Sequence, residues 1–129
     1  MKRQTRKVHN QSMLKLNHKN LQAWQLSIQF VSAIYKMTQQ FPQIEMYGLT
    51  SQIRRAAISV PSNIAEGASR SSVNERKRFY EIARSSLVEV DTQLEIAKNL
   101  AYISDPEISK IAQQINHIFA ALSNLIRKT

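Results

Sequence analysis

Residues Tyr47 to Arg70 read YGLTSQIRRAAISVPSNIAEGASR, and their apolar spacing predicts a single amphipathic helix. Apolar residues recur at steps of three and four, the spacing of one face of an α-helix. That face holds Leu49, Ile53, Ala56, Ala57, Val60 and Ile64. Because two of the six are alanines, a neighbouring helix can approach its backbone closely. The segment is therefore expected to pack against another helix.

Glycine, proline and hydroxyl residues mark the ends of this helix and a bend within it. Thr50 or Ser51 can cap its start, and Gly67 suits the left-handed position just past its end. Pro61 removes one backbone hydrogen bond, which predicts a kink. Since the apolar spacing continues to Ile64, the helix should not end there.

The composition predicts one all-α domain. The 129 residues suffice for a hydrophobic core, while two glycines and three prolines are too few for many short strands. The absence of cysteine excludes disulfides and thiolate metal sites, and it favours the cytoplasm. No apolar run could span a bilayer, and none follows the basic N-terminus as in a secretory signal. We therefore expect no membrane partner.

Three further helices are predicted. The first runs from about Asn20 to Gln40, the third begins at a capping box over 72–75, and the fourth starts at Asp105 with Pro106 in the first helical position. Their core faces are predicted to hold Leu21, Trp24, Ile28, Val31, Ile34 and Tyr35 in the first; Phe79, Ile82, Ala83, Ser86, Leu87, Val90, Leu94, Ala97 and Leu100 in the third; and Ile108, Ile111, Ile115, Ile118, Leu122 and Leu125 in the fourth.

Short connections between these helices make neighbours antiparallel. The expected architecture is an up-down-up-down four-helix bundle over residues 17–129. Residues 1–16 contain basic and polar side chains and no acid, so they predict a basic, flexible arm.

The net charge of +9 indicates a polyanionic partner, with solubility as the alternative. In the predicted topology one end of the bundle, which we call the basic end, collects thirteen basic and three acidic residues, a net of +10. The opposite end has a net charge of −1. Nucleic-acid contacts are predicted from Lys2, Arg3, Arg6, Lys7, Arg70, Arg76, Lys77, Arg78, Arg84, Arg127 and Lys128.

Three consecutive cations, Arg76, Lys77 and Arg78, begin the third helix, where the helix dipole favours acids. Because this placement costs local helix stability, it indicates that the three cations serve a partner, and phosphate is the favoured one. The alternative is a solvated face with an ion pair from Lys77 to Glu81.

A second apolar strip predicts contact between protomers. Ile58, Pro61 and Ala65 lie beside the core stripe of the second helix, and Val88 and Ile96 point away from the core of the third. The alternative is a scatter of exposed apolar residues, which is normal on any surface.

The second helix also carries a polar stripe. Arg55, Ser59, Ser62 and Glu66 form this stripe, with Asn63 between it and the core. We favour a hydrogen-bonded network to a neighbouring helix or protomer over contacts with RNA, since acids repel phosphate. Tyr80, flanked by Arg78 and Arg84, is a better candidate than Tyr47 for stacking on bases, although we favour a packing role for it.

Residue patterns typical of catalysis are missing. His9, His18 and His117 lack the Glu-x-x-His spacing of diiron bundles, and neither glycine belongs to a phosphate-binding loop. The spacing from Arg3 to His9 matches a helical-bundle ribonuclease family, but it falls in the arm and is interpreted as chance. No enzyme activity, cofactor or metal is expected.

The stretches FPQIEMYGLTSQIRRAAISVPSNIAEG (41–67) and SLVEVDTQLEIAKNLAYI (86–103) carry a family resemblance. From Leu21 to about Ile103, the chain resembles the four-helix bundle proteins of intervening sequences in large-subunit ribosomal RNA. It is more loosely similar to accessory proteins of diversity-generating retroelements. The resemblance implies a non-enzymatic protein that forms homopentameric rings, and the retroelement relatives bind a reverse transcriptase and RNA.

Two functions remain open at this point. The protein binds RNA through its basic end, or it is an oligomeric scaffold for protein interactions that binds no nucleic acid.

Overall fold

The computed structural model describes residues 17–129, and within them the chain forms an antiparallel four-helix bundle. The helices are α1 (Gln22–Thr38), α2 (Leu49–Ala68), α3 (Val73–Asn99) and α4 (Asp105–Lys128). Short 3-10 turns cover Asn17–Asn20 and Gln43–Glu45. Each helix contacts the next along the chain, α4 contacts α1, and α2 and α3 share the most extensive contact. The predicted all-α bundle is confirmed, while the predicted arm (1–16) lies outside the described residues.

The helix starts agree with the sequence in α3 and differ in α2 and α4. Ser72 Oγ accepts a hydrogen bond from the Glu75 amide at 3.2 Å, as predicted. In α4 the cap residue is Ser104, so Pro106 is in the second helical position and not the first. Glu107 Oε1 accepts from the Ser104 amide at 3.1 Å, which ties the cap to the first turn.

Neither Thr50 nor Ser51 caps α2, contrary to the prediction. The residue before the helix is Gly48, and the Glu45 carboxylate accepts from the Leu49 amide at 3.0 Å. The 3-10 turn that precedes α2 brings this carboxylate over the helix start, while Thr50 is buried. The cap therefore comes from a residue outside the helix.

Gly67 lies inside α2 and not past its end, so the predicted left-handed position is wrong. The helix ends at Ala68, and the residue after it, Ser69, has φ −87°. A Cβ atom at Gly67 would lie 2.8 Å from Tyr80 Cε1 and 3.0 Å from Phe79 Cβ. The glycine is there because α3 crosses too close for a side chain. Pro61 lies within the continuous helix, as predicted.

The core face of α1 is rotated from the predicted stripe. In α1, Ser27 and Thr38 are buried, while Ile28 and Tyr35 are exposed. The two hydroxyls can be buried because each donates to a carbonyl of its own helix, Ser27 at 2.8 Å and Thr38 at 2.7 Å. The buried face of α1 is Ala23, Ser27, Phe30, Ile34, Met37 and Thr38.

In α3, most of the predicted stripe is confirmed, because its buried residues include Ala83, Ser86, Leu87, Val90, Leu94 and Ala97. Tyr80 and Gln93 are buried in addition, while Ile82 and Leu100, which follows the helix, are exposed. In α4, the predicted stripe is correct for the buried Ile111, Ile115, Ile118 and Leu122, and Ile108 and Leu125 pack against this core.

Candidate nucleic-acid interface

The basic end is formed by the start of α1, the end of α2, the start of α3 and the end of α4. Within residues 17–129 it carries eight basic and three acidic side chains, a net of +5. The other predicted contacts, Lys2, Arg3, Arg6 and Lys7, lie outside the described residues. The 3-10 turn Asn17–Asn20 packs against α1 and α2, so the chain enters the bundle at this end.

Arg70, in the loop between α2 and α3, is balanced by one acid from each of the two helices. Its guanidinium contacts Glu66 at 2.7 Å and Glu75 at 3.7 Å, and it lies 4.9 Å from the centre of the Phe79 ring. These contacts hold the end of α2 against the start of α3. Arg70 therefore contributes little net charge to the surface.

Arg76 closes the same loop. Its Nη1 donates to the carbonyl oxygens of Arg70 at 3.1 Å and Ser71 at 2.8 Å. Both bonds satisfy carbonyls that follow the end of α2. This gives Arg76 a structural role, which offsets the cost of placing a cation at the start of a helix.

Arg84 and Arg127 also have partners within the bundle. Arg84 Nη1 donates to Ser123 Oγ at 3.0 Å, and this bond joins α3 to α4. Arg127 donates to the Asn124 side chain one turn earlier on α4.

Lys77, Arg78 and Lys128 differ from these four residues because their side chains form neither an ion pair nor a hydrogen bond within residues 17–129. The ion pair considered between Lys77 and Glu81 does not form in this part of the chain. Arg78 is exposed and lies 5.5 Å from the centre of the Phe79 ring, and Lys128 is exposed at the end of α4. These three charges are the best placed for phosphate.

The tyrosines do not provide a stacking surface at the basic end, and the favoured interpretation of Tyr80 as a packing residue is confirmed. Tyr80 is 3% exposed and packs at Gly67, and this burial raises the pKa of its hydroxyl. Tyr47 is 95% exposed but belongs to the loop between α1 and α2, at the opposite end. Two other aromatic side chains are partly exposed beside cations: Phe79, which Arg70 and Arg78 flank, and Phe119, with Arg84 5.5 Å from its ring centre. The one indication in the sequence that Phe119 is partly exposed was its position one residue away from the core stripe of α4.

The predicted apolar strip is split between two sides of the bundle. Ile58, Pro61 and Ala65 line a groove of about 460 Å³ between α1 and α2, together with Trp24, Ile28, Val31, Ser32 and Ser62. We call it the α1–α2 groove. Pro61 itself is buried, which corrects its placement outside the core. Val88 lies between α3 and α4, and Ile96 lies in neither groove. Since the helices contact one another in chain order, these two grooves are on opposite sides.

The polar stripe of α2 forms a network with α3. Ser59 and Ser86 share a hydrogen bond of 2.8 Å across the two helices, and Asn63 Nδ2 donates to the Ser59 hydroxyl and carbonyl, both at 2.8 Å. Glu66 pairs with Arg70 on the same side. The favoured interpretation as a network to a neighbouring helix is therefore confirmed at Ser59, whereas Asn63 bonds within its own helix and Glu66 bonds to the residue four positions later.

Sequence comparison assigns this bundle to a known family. A model of the family described as 23S rRNA-intervening sequence protein matches residues 19–124. The chain belongs to that family. No curated protein matches the chain.

The fold of the family is also seen in a crystal structure. A protein with unknown function from the S23 ribosomal protein family of Bacteroides thetaiotaomicron VPI-5482, determined at 1.70 Å resolution, is similar to this chain with a TM-score of 0.72. The two are 22% identical, and the match covers 81% of this chain and 97% of that one. The likeness extends over nearly the whole bundle, and it concerns the fold alone.

Residues 17–129 contain neither a metal-binding cluster nor a membrane-spanning helix. No three His, Asp or Glu side chains lie close enough there to hold a metal ion. In the same range, no helix combines the length and apolarity needed to cross a bilayer. His18 packs edge-on against Trp24 at 5.2 Å, and burial lowers its pKa.

Proposed function

We propose that this member of the 23S rRNA-intervening sequence family is a non-enzymatic RNA-binding protein that contacts RNA through its basic end. The concentration of unpaired cations at this end carries the proposal. Lys77, Arg78 and Lys128 present charge there without ion-pair partners in residues 17–129. Residues 1–16 contain five further cations, and the turn Asn17–Asn20 that follows them in the sequence lies at this end. Phosphate contacts of this kind give binding that depends strongly on salt.

A salt titration tests this proposal. A variant with Lys77→Gln, Arg78→Gln and Lys128→Gln should bind single-stranded RNA with a flatter slope of log affinity against log salt. The slope should change by about 0.7 for each lost phosphate contact, so up to about 2 for each protomer engaged. Arg76 is left unchanged because its loss would also loosen the loop after α2.

A matched control removes the same charge elsewhere. Lys36, Arg55 and Lys110 are exposed and belong to the opposite half of the bundle, and they also comprise two lysines and one arginine. Their replacement by Gln should leave the slope close to that of the parent. If both triple variants keep the parent slope, the basic end is not the RNA site, and the scaffold function becomes the better proposal.

We also propose that the protein assembles as a homo-oligomer, with a pentameric ring as the expected form. A cyclic ring requires two unlike surfaces that fit each other. The apolar α1–α2 groove is one, and the loop between α1 and α2, which exposes Ile44, Met46 and Tyr47, is the other. Such a ring would place all basic ends on one face, which increases the charge that a long RNA meets.

Two isoleucine substitutions, one inside the α1–α2 groove and one outside it, test the assembly. Ile58 in the groove is 41% exposed and Ile96 outside it is 44% exposed, so the two form a matched pair. Ile58→Asp should dissociate the oligomer in light scattering while helicity is kept, and Ile96→Asp should not. A parent protein that is monomeric at micromolar concentration would refute the assembly. No observation within residues 17–129 favours a reverse transcriptase as partner, which stays a prediction of the resemblance.

A further inference from the structure

The groove between α3 and α4 combines an aromatic surface with polar groups. It encloses about 250 Å³ and is lined by Leu87, Val88, Asp91, Ile115, Asn116 and Phe119. Phe119 is 39% exposed and Val88 is more exposed, so the groove has an accessible apolar floor. We call it the α3–α4 groove. A flat apolar floor of this size suits a ring system.

The α3–α4 groove has a cation where it approaches the basic end. Arg84 is held by its bond to Ser123 and lies 5.5 Å from the centre of the Phe119 ring. Lys77 lies two turns before Arg84 on the same side of α3, and Arg127 lies one turn beyond Ser123 on α4. The groove therefore continues into the proposed phosphate-binding surface. By contrast, no charged side chain lines the α1–α2 groove.

Hydrogen-bonding groups lie at the other end of the groove. Asp91 is seven residues after Arg84, about 10 Å further along α3. This separation is close to the distance from the phosphate of a nucleotide to the far edge of its base. A carboxylate accepts two hydrogen bonds, and guanine presents adjacent N–H donors on its Watson–Crick edge. Adenine presents an unprotonated nitrogen there, which a carboxylate repels.

We propose that the α3–α4 groove binds one unpaired guanine of a single-stranded RNA. This inference rests on the proposed RNA-binding function and adds a base preference to it. The base stacks on Phe119 beside Val88, the phosphate lies at Arg84, and Asp91 accepts from the guanine edge. A base in a duplex cannot enter, because both its faces are covered and its edge is paired.

The test compares two oligouridylates that differ in one central base, guanine or adenine, by fluorescence anisotropy at one low salt concentration. The parent should bind the guanine strand at least about fivefold more tightly. Phe119→Leu should weaken binding of that strand by about fivefold or more, as expected for the loss of stacking. Phe119→Tyr, which keeps the ring, should bind like the parent. Asp91→Asn should remove the preference for guanine.

Tyr35 provides the matched control, because it is 37% exposed with Arg54 4.5 Å from its ring centre. Tyr35→Leu should leave the affinities for the guanine strand and the adenine strand unchanged. Thermal unfolding should show that every variant is folded. Equal binding of the two strands by the parent, or parent-like binding by Phe119→Leu, would overturn the guanine site. If the parent's affinity for RNA still falls with salt in the titration described under the proposed function, the proposed RNA-binding function stands. If the parent binds neither strand, both proposals fail.

Discussion

Replacing Gly67 by alanine tests the close contact between α2 and α3, because two opposing effects predict different signs. Gly67 has a helical backbone, so alanine would stabilise α2 by up to about 1 kcal/mol if space allowed. The added Cβ, however, would lie 2.8 Å from Tyr80 Cε1 and 3.0 Å from Phe79 Cβ. The Tyr80 ring is buried and cannot swing away. Overpacking of this kind costs about 1–3 kcal/mol, so we expect a net loss of about 1–2 kcal/mol.

Thermal and denaturant unfolding measure this loss. For a chain of this length, the expected loss lowers the Tm by roughly 3–10 °C. Tyr80→Leu removes the ring atoms that the new Cβ would meet, so in that background Gly67→Ala should be nearly neutral. The two substitutions should then show a coupling free energy of about 1 kcal/mol or more. A Gly67→Ala protein that unfolds at a higher temperature than the parent would show that helix propensity outweighs the contact, and this reasoning would be wrong.

Three further outcomes follow from local contacts. Arg76→Gln should lower the free energy of unfolding by about 1 kcal/mol, because two loop carbonyls lose their donor; an unchanged denaturant midpoint would contradict this role. Ala101 has φ 62°, so Ala101→Gly should raise the free energy of unfolding by up to about 1 kcal/mol, and a lower Tm would contradict the strain. Hydrogen bonds from the Leu49 amide and the Tyr102 hydroxyl lower the pKa of Glu45. The contribution of the ionised Glu45 carboxylate to the free energy of unfolding is therefore complete above the ordinary pKa of a glutamate, and it is lost as pH falls through the lowered pKa. Glu45→Gln should make the free energy of unfolding less dependent on pH below neutrality. Acid titration of the unfolding midpoint measures this change.

The existence and order of the four helices could be predicted because the signals for them are local. Apolar spacing of 3.6 residues, the Ser72 cap and the short connections each act within a few residues of the chain. Once the connections are short, the topology follows, and with it the separation of charge between the two ends. The continuity of α2 through Pro61 was predictable for the same reason.

The orientation of α1 about its own axis depended on tertiary packing. Ser27 and Thr38 are buried because they bond to their own helix, which lets Phe30 and Met37 face the core and leaves Ile28 outside. Gly67 was misplaced because a glycine near a helix end has the same local signal whether it ends the helix or admits a neighbour. The position of Tyr80 on α3 settles which of these applies.

The candidate sites show the same division between local and long-range information. The sequence by itself determined how many cations the basic end carries, since that number needs only the order of the helices. The tertiary structure alone decided that Arg76 and Arg84 are engaged, that Val88 and Ile58 face different grooves, and that Phe119 lies beside Arg84. Each of these facts relates side chains from separate helices or loops. Their distances are set by how the helices pack together, which no local spacing in the chain encodes.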